Sequence, residues 1–111
     1  MTQETEQPVV AILTTADNRE TLQRIARELV ERRLAACVQI SGPVTSIYRW
    51  DDQVEQAEEW RCQVKSVERH AEVIVRCIRQ LHEYDTPQVI VLPVTGGCQE
   101  YLGWLRDQVC R

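Results

Sequence analysis

His82, Glu83, Tyr84 and Asp85 stand side by side in one polar turn of this chain. An imidazole with neighbouring carboxylates is a donor set suited to copper, zinc or nickel. Adjacent residues in a turn seldom aim at one point, so a second segment or subunit must complete such a site. The competing reading of His82 is structural: a partly exposed residue at a helix end, favourable to the helix dipole. The turn runs into Val89-Ile90-Val91-Leu92, which has no polar alternation. That run reads as a central strand buried on both faces, with the turn at its end.

Other chemistry is sparse. Neither phosphate-binding glycine pattern occurs, and there is no Gly-x-Ser-x-Gly nucleophile turn. Thr95-Gly96-Gly97 reads as a plain turn. The five cysteines, Cys37, Cys62, Cys77, Cys98 and Cys110, lie far apart with no Cys-x-x-Cys pair. This excludes a zinc knuckle or a thioredoxin-like motif and points to free thiols in a reducing cytoplasm. Three of them are expected to fill core or interface volume. Cys77 precedes His82 by five residues but falls beside an apolar helix stripe, so a Cys/His nucleophile is not supported. His70 reads as a surface residue. No nucleophile, acid/base pair or organic cofactor motif remains, and an enzyme is not expected.

The elements around the turn follow from pattern. Residues 1–7 read as a disordered polar tail, and 8–111 as a single domain. Val9 to Leu13 is an apolar strand. Asp17 with Glu20 suggests a capping box, followed by Leu22, Ile25, Ala26, Leu29, Val30 and Leu34 at helical spacing. A second strand runs from about Ala36, is interrupted at Ser41-Gly42-Pro43, and resumes from Thr45 to Trp50. Asp51-Asp52 turns it back. On the return, Trp60, Cys62 and Val64 alternate with Arg61, Gln63 and Lys65, a half-buried strand. These arms exceed the usual five or six residues, so a long hairpin must find cover outside its own subunit. Ser66 is a candidate cap for a second helix with Ala71, Ile74, Val75, Ile78 and Leu81 inward. Tyr101, Leu102, Leu105 and Val109 mark a short last helix.

The order β-α-β-β-α-β plus a C-terminal helix predicts an α+β, ferredoxin-like sandwich: an antiparallel sheet with helices on one face. Hydrophobic content of 43% and charged content of 27% fit a folded chain of this length. The net charge of −4 gives no reason to expect nucleic acid or an anionic membrane as partner. The first seven residues lack the pattern of a secretory signal, and no run approaches the ~18 apolar residues of a membrane span.

Five blocks, in order, resemble the CutA family of divalent-cation tolerance proteins. They are Leu34-Ala35-Ala36-Cys37-Val38, Ser46-Ile47-Tyr48-Arg49-Trp50, Glu59 with Lys65-Ser66, the stretch from Leu81 to Val94, and Tyr101-Leu102-Gly103-Trp104-Leu105. The resemblance implies a homotrimer whose long hairpins pair between subunits, which answers the cover problem. It implies binding of copper(II) or another divalent cation through the turn histidine, here His82, with a cysteine just after the first strand. This chain has Thr14 there, a poor substitute toward a soft metal. It also has Glu83 where the family more often has a small residue or proline, and Gln88 where it often has Glu. The candidate ligands are therefore His82, Glu83 and Asp85, and a metal so held is expected to weaken below pH ~6, since a ligating imidazole is neutral.

The resemblance further suggests that Tyr48, Trp50, Glu59, Lys65 and Tyr84 line a cleft between subunits. Tyr48 and Trp50, two apart, project to one side of their strand. The group reads either as interface packing around an ion pair or as a small-molecule pocket. The expected function is a cytoplasmic, non-catalytic metal-binding or metal-responsive trimer. Its rivals are a PII-like signalling module that takes a metabolite or anion in the cleft, and a purely structural trimer.

Overall fold

The structure is a computed structural model that describes residues 7–111; the expected tail falls, but for Gln7, outside the described residues. Gln7 itself offers its carbonyl to Arg106 Nε at 2.8 Å. Four strands, β1 (Val9–Ala16), β2 (Cys37–Trp50), β3 (Gln53–Val67) and β4 (Val89–Val94), alternate with three helices, α1 (Arg19–Glu31), α2 (Ala71–Leu81) and α3 (Gln99–Gln108). The sheet order is β2-β3-β1-β4, and every neighbouring pair is antiparallel.

Alternation along β1 sorts the core. Val10, Ile12 and Ala16 pack with Leu22, Ile25 and Leu29 of α1, Ile74 and Ile78 of α2, and Cys62 and Val64 of β3. Val9 points the other way and joins Val67, Leu102, Leu105 and Val109 in a smaller cluster. The first two helices thus cover one face, and α3 caps the end of the opposite face. This departs from the one-face arrangement because a three-strand patch at Val9, Val67 and Val94 needs its own cover. The rest of that second face stays open.

Local start signals shift by a residue or more. The α1 N-cap is Asn18, not Asp17: its Oδ1 accepts from Thr21 N–H at 2.8 Å. Ser66 caps nothing. It lies inside β3, fully buried, and its hydroxyl donates to the Leu34 carbonyl. A short 3-10 turn, Glu68–His70, leads into α2 instead. Tyr101 and Trp104 of α3 stay exposed and stack on each other at 5.6 Å, while Leu102 and Leu105 face inward.

The interruption at Ser41-Gly42-Pro43 is a bulge in one continuous strand. Ser41 pairs with Arg61 and Val44 with Glu59, so β2 carries one extra residue there. Before the bulge, Cys37, Gln39 and Ser41 share a side with Lys65, Gln63 and Arg61. After it, Val44, Ser46, Tyr48 and Trp50 share a side with Glu59, Ala57, Glu55 and Gln53. The outward phase of β2 therefore switches from odd to even residues. Gly42 is required here, because its φ is +147° and an added Cβ would lie 2.9 Å from Trp60 Cε3. Asp51 and Asp52 close the hairpin with φ of 51° and 62°, both left-handed, as a two-residue turn demands.

β4 is not central. It is the last strand of the sheet, and Ile90, Val91 and Leu92 are 44%, 40% and 42% exposed. A continuous apolar run marks a strand with two faces to cover, but does not say that its own chain covers them.

Candidate functional site

The turn after α2 is tied down at four points. His82 ends the helix, its N–H bonded to the Ile78 carbonyl. Its Nε2 lies 2.6 Å from the Thr15 carbonyl oxygen, so that nitrogen carries the proton and donates. Its Nδ1 accepts the Tyr84 backbone N–H at 3.1 Å. The ring is 8% exposed and packs against Tyr84 at 4.7 Å. Glu83 accepts from the Asn18 side-chain amide at 3.1 Å, which binds the turn to the α1 cap. The Tyr84 hydroxyl donates to Glu59 Oε2 at 2.9 Å. Burial first, then the Glu59 carboxylate beside it, push the Tyr84 phenol well up, so it stays a donor.

His82 is thus neither an exposed helix-end residue nor a free ligand. One nitrogen donates to a backbone carbonyl while the other presents a lone pair. Metal-ligating histidines are commonly oriented in this way. That lone pair is held by the Tyr84 amide. Glu83 and Asp85 are exposed in the same turn. Among the described residues, no group of three or more His, Cys, Asp or Glu side chains could hold a metal ion.

Thr14 is buried, and its hydroxyl has no hydrogen-bond partner among the described residues. It stands beside Cys62 across the β1–β3 pair. Burial pushes the Cys62 thiol up to about 12, so no thiolate is available there. Cys77 is likewise raised by burial, with the Arg32 guanidinium opposing. None of the five cysteines is bridged.

His70 is not on the surface. It is 8% exposed, with Nε2 at 2.6 Å from the Cys110 carbonyl and 3.7 Å from the Cys110 sulfur. Arg69 donates to the same carbonyl. Sequence reasoning missed this clasp because its two halves are forty residues apart.

Four of the five cleft residues come together. Tyr48, Trp50, Glu59 and Tyr84 line a cleft of about 500 Å³ on the open sheet face, with Thr15, Ser46 and Gln88 among its polar wall. The β2 bulge puts both aromatics on the Glu59 side. Lys65 is elsewhere: it pairs across from Cys37, and its ammonium sits 5.6 Å from the Tyr101 ring of α3. Within its own subunit Glu59 therefore has no lysine partner, and its hydrogen bond is to Tyr84. A neighbouring depression of about 450 Å³ on the same face holds Arg61, Gln39 and Gln63.

Comparison with known proteins agrees with this architecture. Residues 10–108 match the family model described as CutA1 divalent ion tolerance protein. A divalent-cation tolerance protein CutA of Pectobacterium atrosepticum is 43% identical over 96 residues, covering 86% of this chain and 87% of that protein. The structure of a divalent cation tolerance protein (Cut A1) from Thermus thermophilus superposes with a TM-score of 0.88 at 37% identity, covering 92% of this chain and 99% of that one. An Archaeoglobus fulgidus structure, described as a periplasmic divalent cation tolerance protein CutA, gives a TM-score of 0.86 at 32% identity, covering 90% and 97%. No helix among the described residues is long and apolar enough to cross a membrane. With nearly its whole length matched by one family model and by relatives of similar size, this chain belongs to the CutA1 divalent ion tolerance family.

Proposed function

We propose that the chain serves divalent-cation tolerance as a non-catalytic homotrimer of ferredoxin-like subunits, meeting copper(II) or another divalent cation at the turn 82–85. The observation that carries this reading is the wiring of His82. A cation taking the Nδ1 lone pair must displace the Tyr84 amide, and Tyr84 is the residue that holds Glu59. Binding and a change in the cleft wall are then one event, which suits a responder better than a catalyst. Glu83 and Asp85, exposed in the same turn, would add carboxylates only by swinging toward that nitrogen, since the three side chains do not converge in the folded subunit. The donor set suits borderline ions; Thr14 offers a hydroxyl where a soft ion prefers a thiolate.

Unfinished edges support the trimer. Ile47 and Val54 on the hairpin are 67% and 66% exposed, and β4 at the other edge is apolar and open. Copies of the same chain would cover both. Free thiols favour a reducing compartment such as the cytoplasm.

The test is a calorimetric titration of tag-free, metal-free protein with copper(II) at neutral pH, beside His82→Ala. Saturable binding, one ion per subunit and lost in the variant, is expected. Equal binding by both proteins removes the turn from the metal reading.

A further inference from the structure

The five thiols differ in their surroundings. Cys62 and Cys77 are buried, and burial raises both. Cys37 is half-buried in β2, across from Lys65. Cys98 and Cys110 are exposed, and they meet opposite charges. The Cys98 sulfur lies 3.3 Å from the Glu100 carboxylate. Cys110 lies in the clasp with His70 and Arg69.

That clasp joins three segments. The Cys110 N–H donates to the Arg33 carbonyl at 2.9 Å, just past α1. The Cys110 carbonyl accepts from Arg69 and from His70 Nε2, at the entry to α2. The same Nε2 is 3.7 Å from the Cys110 sulfur. His70 is buried, so this N–H is held in place while the thiol stays open to solvent. A thiolate formed here meets an imidazole N–H and a guanidinium. Electropositive, partly exposed settings of this kind are those in which cysteines react. The clasp sits at the Val67 end of β3, where α1 ends and α2 begins, and the hairpin turn is at the opposite end of that strand. The hairpin pairing invoked for the trimer therefore lies away from it.

We infer that Cys110 is a site of reversible S-thiolation by a small anionic disulfide of the glutathione type. The Cys110 thiol gives its proton to water, and the thiolate attacks one sulfur of the disulfide. The reagent's S–S bond breaks as the protein–reagent S–S bond forms, and the departing thiolate takes a proton from water. Cys110 is oxidised and half of the reagent is reduced, so no other oxidant is needed. Arg69, and Arg111 next in the chain, match the carboxylates of such a reagent. The inference does not rest on metal ligation by His82.

The experiment treats intact, reduced protein with glutathione disulfide near neutral pH. Peptide mass spectrometry locates the adduct, and circular dichroism checks the fold. One adduct per chain is expected, at Cys110, formed roughly tenfold or more faster than at Cys98 and reversed by dithiothreitol. Arg69→Gln should slow the reaction several-fold with the fold intact, and His70→Ala should slow it further. An uncharged reagent, 2-hydroxyethyl disulfide, should narrow the preference for Cys110 over Cys98. Reaction at Cys110 only after unfolding would mean that the assembly covers the thiol, and overturns the inference. So does an equal rate at Cys98, or a rate that neither substitution changes. Copper(II) binding by Cys110→Ser stays as in the unaltered chain, so this inference and the metal reading fail separately.

Discussion

The two halves of β3 have opposite characters, although they are one strand. From Cys62 to Val67 its inward residues are buried under two helices or beside α3, and Val64 and Val67 have no exposure at all. From Gln53 to Glu59 it is half of a ribbon with no helix over it, and the molecule stretches to 53 Å on its long axis against 25 and 21 Å on the others. The inner half holds the subunit together. The outer half contributes Glu59 to the cleft and offers an edge to a neighbour. The β2 bulge marks the border between them and sets which side chains each half presents.

The largest effect that could break this contrast is expected in the inner half. Ile12→Ala, at a fully buried position between both helices, should cost ~2–5 kcal/mol by transfer and cavity terms, read from denaturant unfolding. A loss under ~1 kcal/mol would mean the core is not where the subunit's stability resides. Next comes the border. Gly42→Ala meets both the Trp60 ring and an unfavourable φ, and should cost ~1–3 kcal/mol.

His82→Ala leaves the Thr15 carbonyl without its donor and should lower stability by ~1–3 kcal/mol, besides removing copper(II) binding. If stability is unchanged, the imidazole is no strap. Tyr84→Phe should cost ~1 kcal/mol near neutrality. Its sharper signature is alkaline. The Tyr84 phenol is raised in the folded state, so its contribution is complete below the unfolded value near ~10 and is lost as pH rises beyond it. The variant should unfold less steeply with alkali than the parent, and equal slopes would remove the Glu59 contact from the folded protein. The smallest effect belongs to the outer half. Val54→Thr should change subunit stability by no more than ~0.5 kcal/mol while shifting light scattering toward smaller species. An unchanged molar mass would free the hairpin edge from any role in assembly.

Legibility followed the same border. Where burial is supplied by the chain's own helices, periodicity served well: Leu22, Ile25 and Leu29 of α1, Ile74 and Ile78 of α2, and Cys62 and Val64 of β3 all face the core, although Val30, on the same expected stripe, is 42% exposed. Local hydrogen-bond signals were less decisive. Asp17, Asn18 and Ser66 are all competent caps, and only backbone geometry chose Asn18. The Asp51-Asp52 turn was legible because two-residue hairpin loops need left-handed residues and aspartate tolerates that region.

By itself, the sequence determined the order of elements, most of the core stripes and the long hairpin. These rest on nearest-neighbour periodicity and on recognisable blocks. Only the tertiary structure decided that β4 is an edge, that Lys65 leaves the cleft for Tyr101, that His70 clasps Cys110, and that His82 spends its ring on Thr15 and Tyr84. Each is a contact between segments distant in the chain or a choice of which strand closes the sheet. A linear pattern records how polar a side chain is, whereas its partner is set by register, and one extra residue at a bulge is enough to change it.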